Sequence, residues 1–300
     1  MSSLSLTQLK AIGLKPLLVF ASGSLFIAVF PIVFLLLFSE TDLVSEIMIQ
    51  EEYWLGIPPI VGSWIGGSTS QLVLKELVEC PENIFLTVLV MDNILVNVWT
   101  ILMFQSIKKS DKLNLWFKIT DVAIPEDIRV EAGLKLKPLV SVTILLGIVI
   151  LCNFLIESFV AKVVLLSFLG LLISNFIKQW NYKFALKAGG ILIIVVMAVL
   201  GLKLQIATLG FNVPFLGFLV VWLVGHFLFM ILIAKFLNVN MAWVPIASMA
   251  NVGGIATAPA VTAAYNLKWM PHAIVLAILS MATGTFWGML TIWLLKYFVV

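Results

Sequence analysis

Charge is what this chain lacks most. Aspartate, glutamate, lysine and arginine together make up 11% of its 300 residues, against 62% hydrophobic. So few charges cannot cover the surface of an ordinary water-soluble globule, which makes a lipid bilayer the natural solvent. Cysteine and histidine are scarce, with two of each. Cys80 and Cys152 are too far apart for a disulfide framework or a thiolate metal centre, and both sit in apolar or interfacial sequence, so each is read as packing. The signatures of soluble enzymes are missing as well: there is no phosphate-binding P-loop, no HExxH, no GxSxG and no His/Cys/Asp metal spacing. Neither a cofactor nor an enzymatic activity is therefore expected. The formal charge of +3 comes from lysines lying between apolar runs, a placement that suits anionic lipid head groups and argues against nucleic acid. No cleavable signal peptide is expected, because the first apolar run has the length of a membrane span and no small-residue cleavage pattern follows it.

What is present is apolar length. A transmembrane helix needs about 20 apolar residues, and uncharged or nearly uncharged runs occur at 17–38, 57–78, 83–104, 138–156, 163–177, 188–202, 211–234, 241–265 and 269–295. The expected fold is an all-α polytopic transmembrane bundle of eight to nine segments. It has nine if every run crosses, and eight if one of the two short runs, 163–177 or 188–202, is re-entrant or interfacial. The stretch 105–137 holds seven of the eighteen basic residues. It divides the chain into a first half at 1–107, a polar linker at 108–137 and a second half at 138–300. With nine crossings, twelve basic residues share one side with the linker and six lie opposite, which puts the linker and the C-terminus in the cytoplasm. The expected location is a multi-pass position in the plasma or inner membrane.

Two stretches weaken their own helices: VGSWIGGSTSQLVLKE, from Val61 to Glu76, and SMANVGGIATAPAV, from Ser248. A shift of 187 residues lays Pro58 on Pro245, Gly66 on Gly253 and Gly67 on Gly254, so an internal repeat is expected. Proline, a glycine pair and then small hydroxyl or amide residues in mid-span form the pattern of a discontinuous transporter helix. Such a break frees N–H and C=O groups that hydrocarbon cannot satisfy. Two readings stand. One is helix packing, since Gly62 and Gly66 have the GxxxG spacing and membrane Ser or Thr often bonds its own helix. The other is a binding site lined by Ser63, Gly66, Gly67, Ser68, Thr69 and Ser70 in the first copy and by Asn251, Gly253, Gly254 and Thr257 in the second. Any one residue alone favours packing, and the two copies together favour the site. With nine crossings the motifs lie six crossings apart and enter from the same side, whereas an inverted repeat needs an odd separation. Either a short run is re-entrant or the repeat is parallel.

Asp92 lies about ten residues into the run 83–104, near mid-membrane, where an ionisable group marks a functional site by default. It is expected, with Asn93 beside it, to hold a coupling cation, sodium or proton, within reach of Ser68, Thr69, Asn251 or Thr257. The alternative is a protonated acid bonded to Asn93, Asn97 or a backbone carbonyl. His226, also mid-span, reads as a helix-bridging hydrogen-bonder rather than a proton relay.

The residues GSWIGGSTSQLVLKE, the MDN around Asp92 and SMANVGGIATAPAV resemble the integral-membrane family known as domain of unknown function 819, and the resemblance runs through nearly the whole chain. It implies a polytopic, transporter-like protein with no assigned substrate, akin to the bile-acid/sodium symporters and sodium/proton antiporters with crossed broken helices. It also implies about three further helices ahead of the segment matching residues 9–38, so the chain is expected to be a form lacking that start. The functional expectation is a secondary transporter of a small solute or ion, whose half-helix N-termini favour an anionic or polar group. Its expected partners are membrane lipids, that solute, the coupling cation and a second copy in a homodimer. The competing class is a non-transporting scaffold or an intramembrane enzyme.

Overall fold

The computed structural model describes residues 10–122, 125, 136–177 and 212–299, with scattered positions between 179 and 202. In chain order its helices are α1 (Leu14–Leu37), α2 (Ile57–Gly66), α3 (Ser68–Leu77), α4 (Glu82–Ile107), α5 (Ser110–Trp116), α6 (Pro138–Leu155), α7 (Phe159–Phe176), α8 (Val213–Phe236), α9 (Trp243–Val252), α10 (Gly254–Ala263) and α11 (Met270–Phe298). A π-helical segment covers Leu43–Gln50, and short 3₁₀ turns cover Tyr53–Gly56 and Leu267–Trp269. Among the described residues no strand occurs.

Five segments are long and apolar enough to cross a membrane: Leu14–Leu37, Glu82–Ile107, Pro138–Leu155, Val213–Phe236 and Leu267–Phe298. The chain is thus a multi-pass membrane protein. Of the remaining runs, 163–177 falls, but for its last residue, within the eighteen-residue α7, and most of 188–202 lies outside the described residues. Each glycine-motif run is divided between two helices of ten residues.

The described residues fall into two compact units, one of 10–122 with 212–299 and the other within 136–202. In the second, α6 packs against α7, whose first turn is capped by the Ser158 hydroxyl accepting from Ala161 N–H at 3.4 Å. In the first, α11 is the spine. Its buried residues Ala273, Ala277, Ser280, Gly284, Gly288 and Thr291 recur every three or four positions and are all small. That stripe lets α1, α2, α3, α9 and α10 approach closely, as small residues do between membrane helices.

Neither glycine motif is one straight helix. A methyl group on Gly56, just ahead of α2, would lie 2.7 Å from Val88 of α4, and the Lys75 ammonium near the end of α3 sits 5.8 Å over the Phe85 ring of the same helix. The two ends of the α2–α3 segment therefore lie together, and a methyl on Gly62 would come within 2.8 Å of the Ser70 backbone. In the second motif, the ring of Trp243 at the start of α9 lies 4.9 Å, centroid to centroid, from that of Trp269, beyond the end of α10. A continuous helix of about 20 residues would hold its ends roughly 30 Å apart. Each motif is instead a helical hairpin with its glycine pair at the tip.

The tips use backbone conformations that side chains disfavour. Gly67 has φ 73° and ψ −172°, and Gly254 has φ 65°. Nothing lies within 4 Å of a methyl added at Gly67, so Gly67→Ala isolates the backbone cost. It is expected to destabilise by about 1–3 kcal/mol, read as a lower Tm of the purified protein. An unchanged Tm would contradict the turn.

At the base of the first hairpin, burial pushes the Cys80 thiol up to about 12, against a smaller downward pull from Lys75. The thiolate is the reactive species, so at pH 8 only about one thiol in 10⁴ is nucleophilic. Cys80 is expected to resist maleimide in the folded protein and to label after denaturation. Rapid labelling of the native state would contradict this environment.

Candidate functional site

Helix α2 opens on Ile57-Pro58-Pro59, where a missing N–H costs nothing because first-turn N–H groups have no helical partner. All of its residues except Ser63 are buried, as are all ten of α9. Both arms are apolar around their circumference, the pattern of an element enclosed by protein. Their polar exceptions converge on two centres.

The first is Asp92. Its carboxylate is buried and accepts from Ser63 Oγ at 2.5 Å, Trp64 Nε1 at 2.7 Å and Gln71 Nε2 at 3.3 Å. Both arms of the first hairpin thus hold it. Trp64 is fixed in turn by Trp222 of α8, ring centroids 4.6 Å apart. The indole and amide N–H groups only donate, whereas the serine hydroxyl either donates or accepts. The ion pairs among the described residues are Lys15–Asp121 and Lys75–Glu76, and neither involves Asp92. No cluster of three His, Cys, Asp or Glu suited to a metal occurs among the described residues.

The second centre lies where the tips meet α11. Asn251 Oδ1 accepts from Ser24 Oγ of α1 at 3.1 Å and from Ser280 Oγ of α11 at 3.0 Å. The Ser280 hydroxyl also reaches the Ile65 carbonyl, so one side chain touches both hairpins. Farther along α11, Gly284 abuts the backbone of Gly66, and Thr285 Oγ1 donates to Ser70 Oγ at 3.0 Å. Trp99 Nε1 of α4 donates to Ser248 Oγ of α9 at 3.0 Å. His226 Nδ1 lies 3.2 Å from the Gly23 carbonyl and bridges α8 to α1.

The structure sorts the sequence candidates. Ser63 bonds Asp92, while Gly66, Gly67 and Ser70 form the first tip. Asn251, Gly253 and Gly254 form the second. Asp92 is bonded to none of Ser68, Thr69, Asn251 or Thr257; its partners come from α2 and α3 because α4 runs alongside that hairpin. Thr69 is exposed and Ser68 half-buried. Asn93 falls outside the site: it is exposed, and its Nδ2 donates back to Leu89 O at 2.7 Å. Asn97 bonds Asn93 O in the same way at 2.8 Å. Thr257 Oγ1 is buried without a hydrogen-bond partner among the described residues. Trp64, Ser24 and Ser280 carried no signal that sequence reasoning used. Trp64 reads as one more apolar residue, while Ser24 adjoins Ser22 and Gly23, and Ser280 heads a small-residue stretch with Thr283, Gly284 and Thr285. Small polar residues clustered in mid-run were the signal that could have found both serines.

Fold and site together define a multi-pass helical membrane protein with a buried polar centre at the tips of two helical hairpins. Residues 3–298 match the family described as Protein of unknown function (DUF819), and the chain belongs to that family. No curated protein and no solved structure matches it.

Proposed function

We propose that this protein is a secondary transporter whose two hairpins enter the bilayer from opposite faces and meet near its middle, with the solute and coupling-ion centre at their tips. The observation that carries this reading is Ser280, whose hydroxyl touches Ile65 of one hairpin and Asn251 of the other. Three facts support the opposed entry. Trp243, at the base of the second hairpin, lies against His272 near the start of α11, ring centroids 6.0 Å apart. Leu74 of the first hairpin lies against Gly288, well along the same helix. Each arm has ten residues, about 15 Å, or half of a roughly 30 Å hydrocarbon core.

With the motif runs read as hairpins, five apolar runs separate them, at 83–104, 138–156, 163–177, 188–202 and 211–234. If all five cross, their odd number inverts one repeat relative to the other, the arrangement of many secondary transporters. The tip backbones carry N–H and C=O groups that hydrocarbon cannot satisfy, so they call for polar partners. Asp92 is the proton-exchanging group of this reading. On protonation Ser63 can turn its hydroxyl to accept, as can Gln71 by turning its amide oxygen inward, so the proton comes and goes without breaking the cluster. The start of α3, where Ser70 meets Thr285, is the place for an anionic or polar solute group, because a helix N-terminus favours negative charge.

The test is reconstitution in vesicles with imposed proton and sodium gradients and a panel of small organic anions. Gradient-driven, saturable flux is expected. Its absence under every gradient refutes transport.

A further inference from the structure

We infer that four oxygens linked through Ser280 and Asn251 form a binding site for a small alkali-metal cation of sodium size, built from both hairpin tips and separate from Asp92. The inference rests on reading the two hairpins as one transport centre.

The oxygens are Ile65 O, Asn251 Oδ1, Ser24 Oγ and Ser280 Oγ, from α2, α9, α1 and α11. Each side chain involved is buried, Ser24 and Ser280 at 0% and 1% exposure and Asn251 at 2%. Two hydroxyl protons serve this cluster, while two carbonyl-type oxygens and both hydroxyl oxygens offer lone pairs, so it is rich in acceptors and poor in donors. The tip itself frees Ile65 O. In a continuing helix that carbonyl would accept from the Thr69 N–H, but the helix ends at Gly66 and no such bond forms. Asn251 likewise stands one residue before the end of α9. Two helix C-termini, the ends that carry partial negative charge, therefore face the same point, which favours a cation over an anion. The Ser24 proton has a second acceptor, Phe20 O at 3.3 Å, so it turns aside and leaves its lone pairs for the ion.

The donor set indicates the class of ion. It contains no carboxylate, which calcium and magnesium sites ordinarily supply, and its neutral hydroxyl and amide oxygens do not hold a proton at ordinary pH. A monovalent metal cation held by uncharged oxygens fits. A cleft of about 200 Å³ between α1 and α11, lined by Phe20, Leu279, Thr283 and Trp287, also has Ser24 in its wall.

Thermal unfolding of the full chain in detergent tests the site, comparing sodium chloride with choline chloride at equal ionic strength. A ligand that binds only the folded state raises Tm with concentration, so a sodium-specific, saturating rise is expected. Ser280→Ala and Asn251→Ala should lose that rise, while Thr100→Val, whose hydroxyl bonds its own helix at Val96 O, keeps it. If the variants fail to fold, binding of radioactive sodium to the unmodified protein decides the matter, with saturable binding expected. Equal Tm in sodium and choline, a sodium effect undiminished in Ser280→Ala, or no saturable sodium binding would overturn the site. Binding in detergent needs no transport. Sodium binding without flux in vesicles keeps the site and sinks the transport reading; gradient-driven flux without sodium binding does the reverse.

Discussion

Asp92→Asn is expected to yield a folded protein that has lost gradient-driven flux, whereas Asp92→Leu is expected to lose much of its stability. The difference follows from the three groups that point at this carboxylate. In the asparagine variant, Oδ1 keeps the Trp64 N–H, and the new amide donates to the Ser63 oxygen. It also donates to Gln71 once that side chain turns its own oxygen inward. Each of the three groups that faced the carboxylate still has a partner at position 92, but the exchangeable proton is gone. In the leucine variant two buried donors, Trp64 and Gln71, and the half-buried Ser63 lose their acceptor together. Each such loss costs about 1–3 kcal/mol, so a total of about 3 kcal/mol or more is expected, seen as a sharply lower Tm and poor recovery from the membrane. Flux is measured in vesicles under a proton gradient. Wild-type flux in Asp92→Asn would remove Asp92 from the coupling mechanism.

The other large effect is expected at Gly284. A methyl group there would collide with Gly66 N, Gly66 Cα and Ile65 C. All three are backbone atoms, so no side-chain rotation relieves the clash, and α11 must move away from the first hairpin. Overpacking costs about 1–3 kcal/mol where side chains can adjust, and Gly284→Ala should lie at or above the top of that range. The same displacement pulls Ser280 from Ile65 O and Thr285 from Ser70, so activity should fall with stability. Gly217 of α8 is the control, because nothing lies within 4 Å of a methyl group added there. Gly217→Ala should be neutral or stabilising by up to about 1 kcal/mol through helix propensity. If Gly284→Ala melts like the unaltered protein, the close approach of α11 to the hairpin tip is wrong.

The sequence carried the membrane class, the two glycine motifs and the buried acid, each for a physical reason. Apolar run length reports what a bilayer demands, a glycine pair after proline reports a helix that cannot continue, and an acid in hydrocarbon must have partners. What the motifs do in three dimensions was harder to read. The run 57–78 has the length of one crossing, and hydropathy is the same whether a chain goes straight on or doubles back. Only the contacts of Gly56 with Val88 and of Lys75 with Phe85 tell the two apart. The parity puzzle of six crossings arose from that ambiguity. Asp92's partners were misjudged for the same reason: with α3 folded back against α2, the acid meets Gln71 rather than the exposed Thr69. Ser280 escaped notice because its role depends on two residues, Ile65 and Asn251, that are distant in sequence and approach it only in the folded chain.

The first hairpin also has a calendar. Its tip contacts on Ser280 and Thr285 are each 215 residues downstream of their partners. At about 5–20 residues per second, roughly 10–40 seconds of synthesis separate the emergence of the hairpin from that of the helix that receives it. Its ten-residue arms are too short to lodge across a bilayer alone in that interval. The Asp92 cluster closes within 29 residues of chain, so it is available almost at once as a local clasp. Ser63, Trp64 and Gln71 on Asp92 would keep the folded-back pair together until α11 arrives. Chains released before that point would carry both tips without their receiving surface, so the residues of α11 decide whether the hairpins made before them are docked or become a substrate for the membrane's proteases.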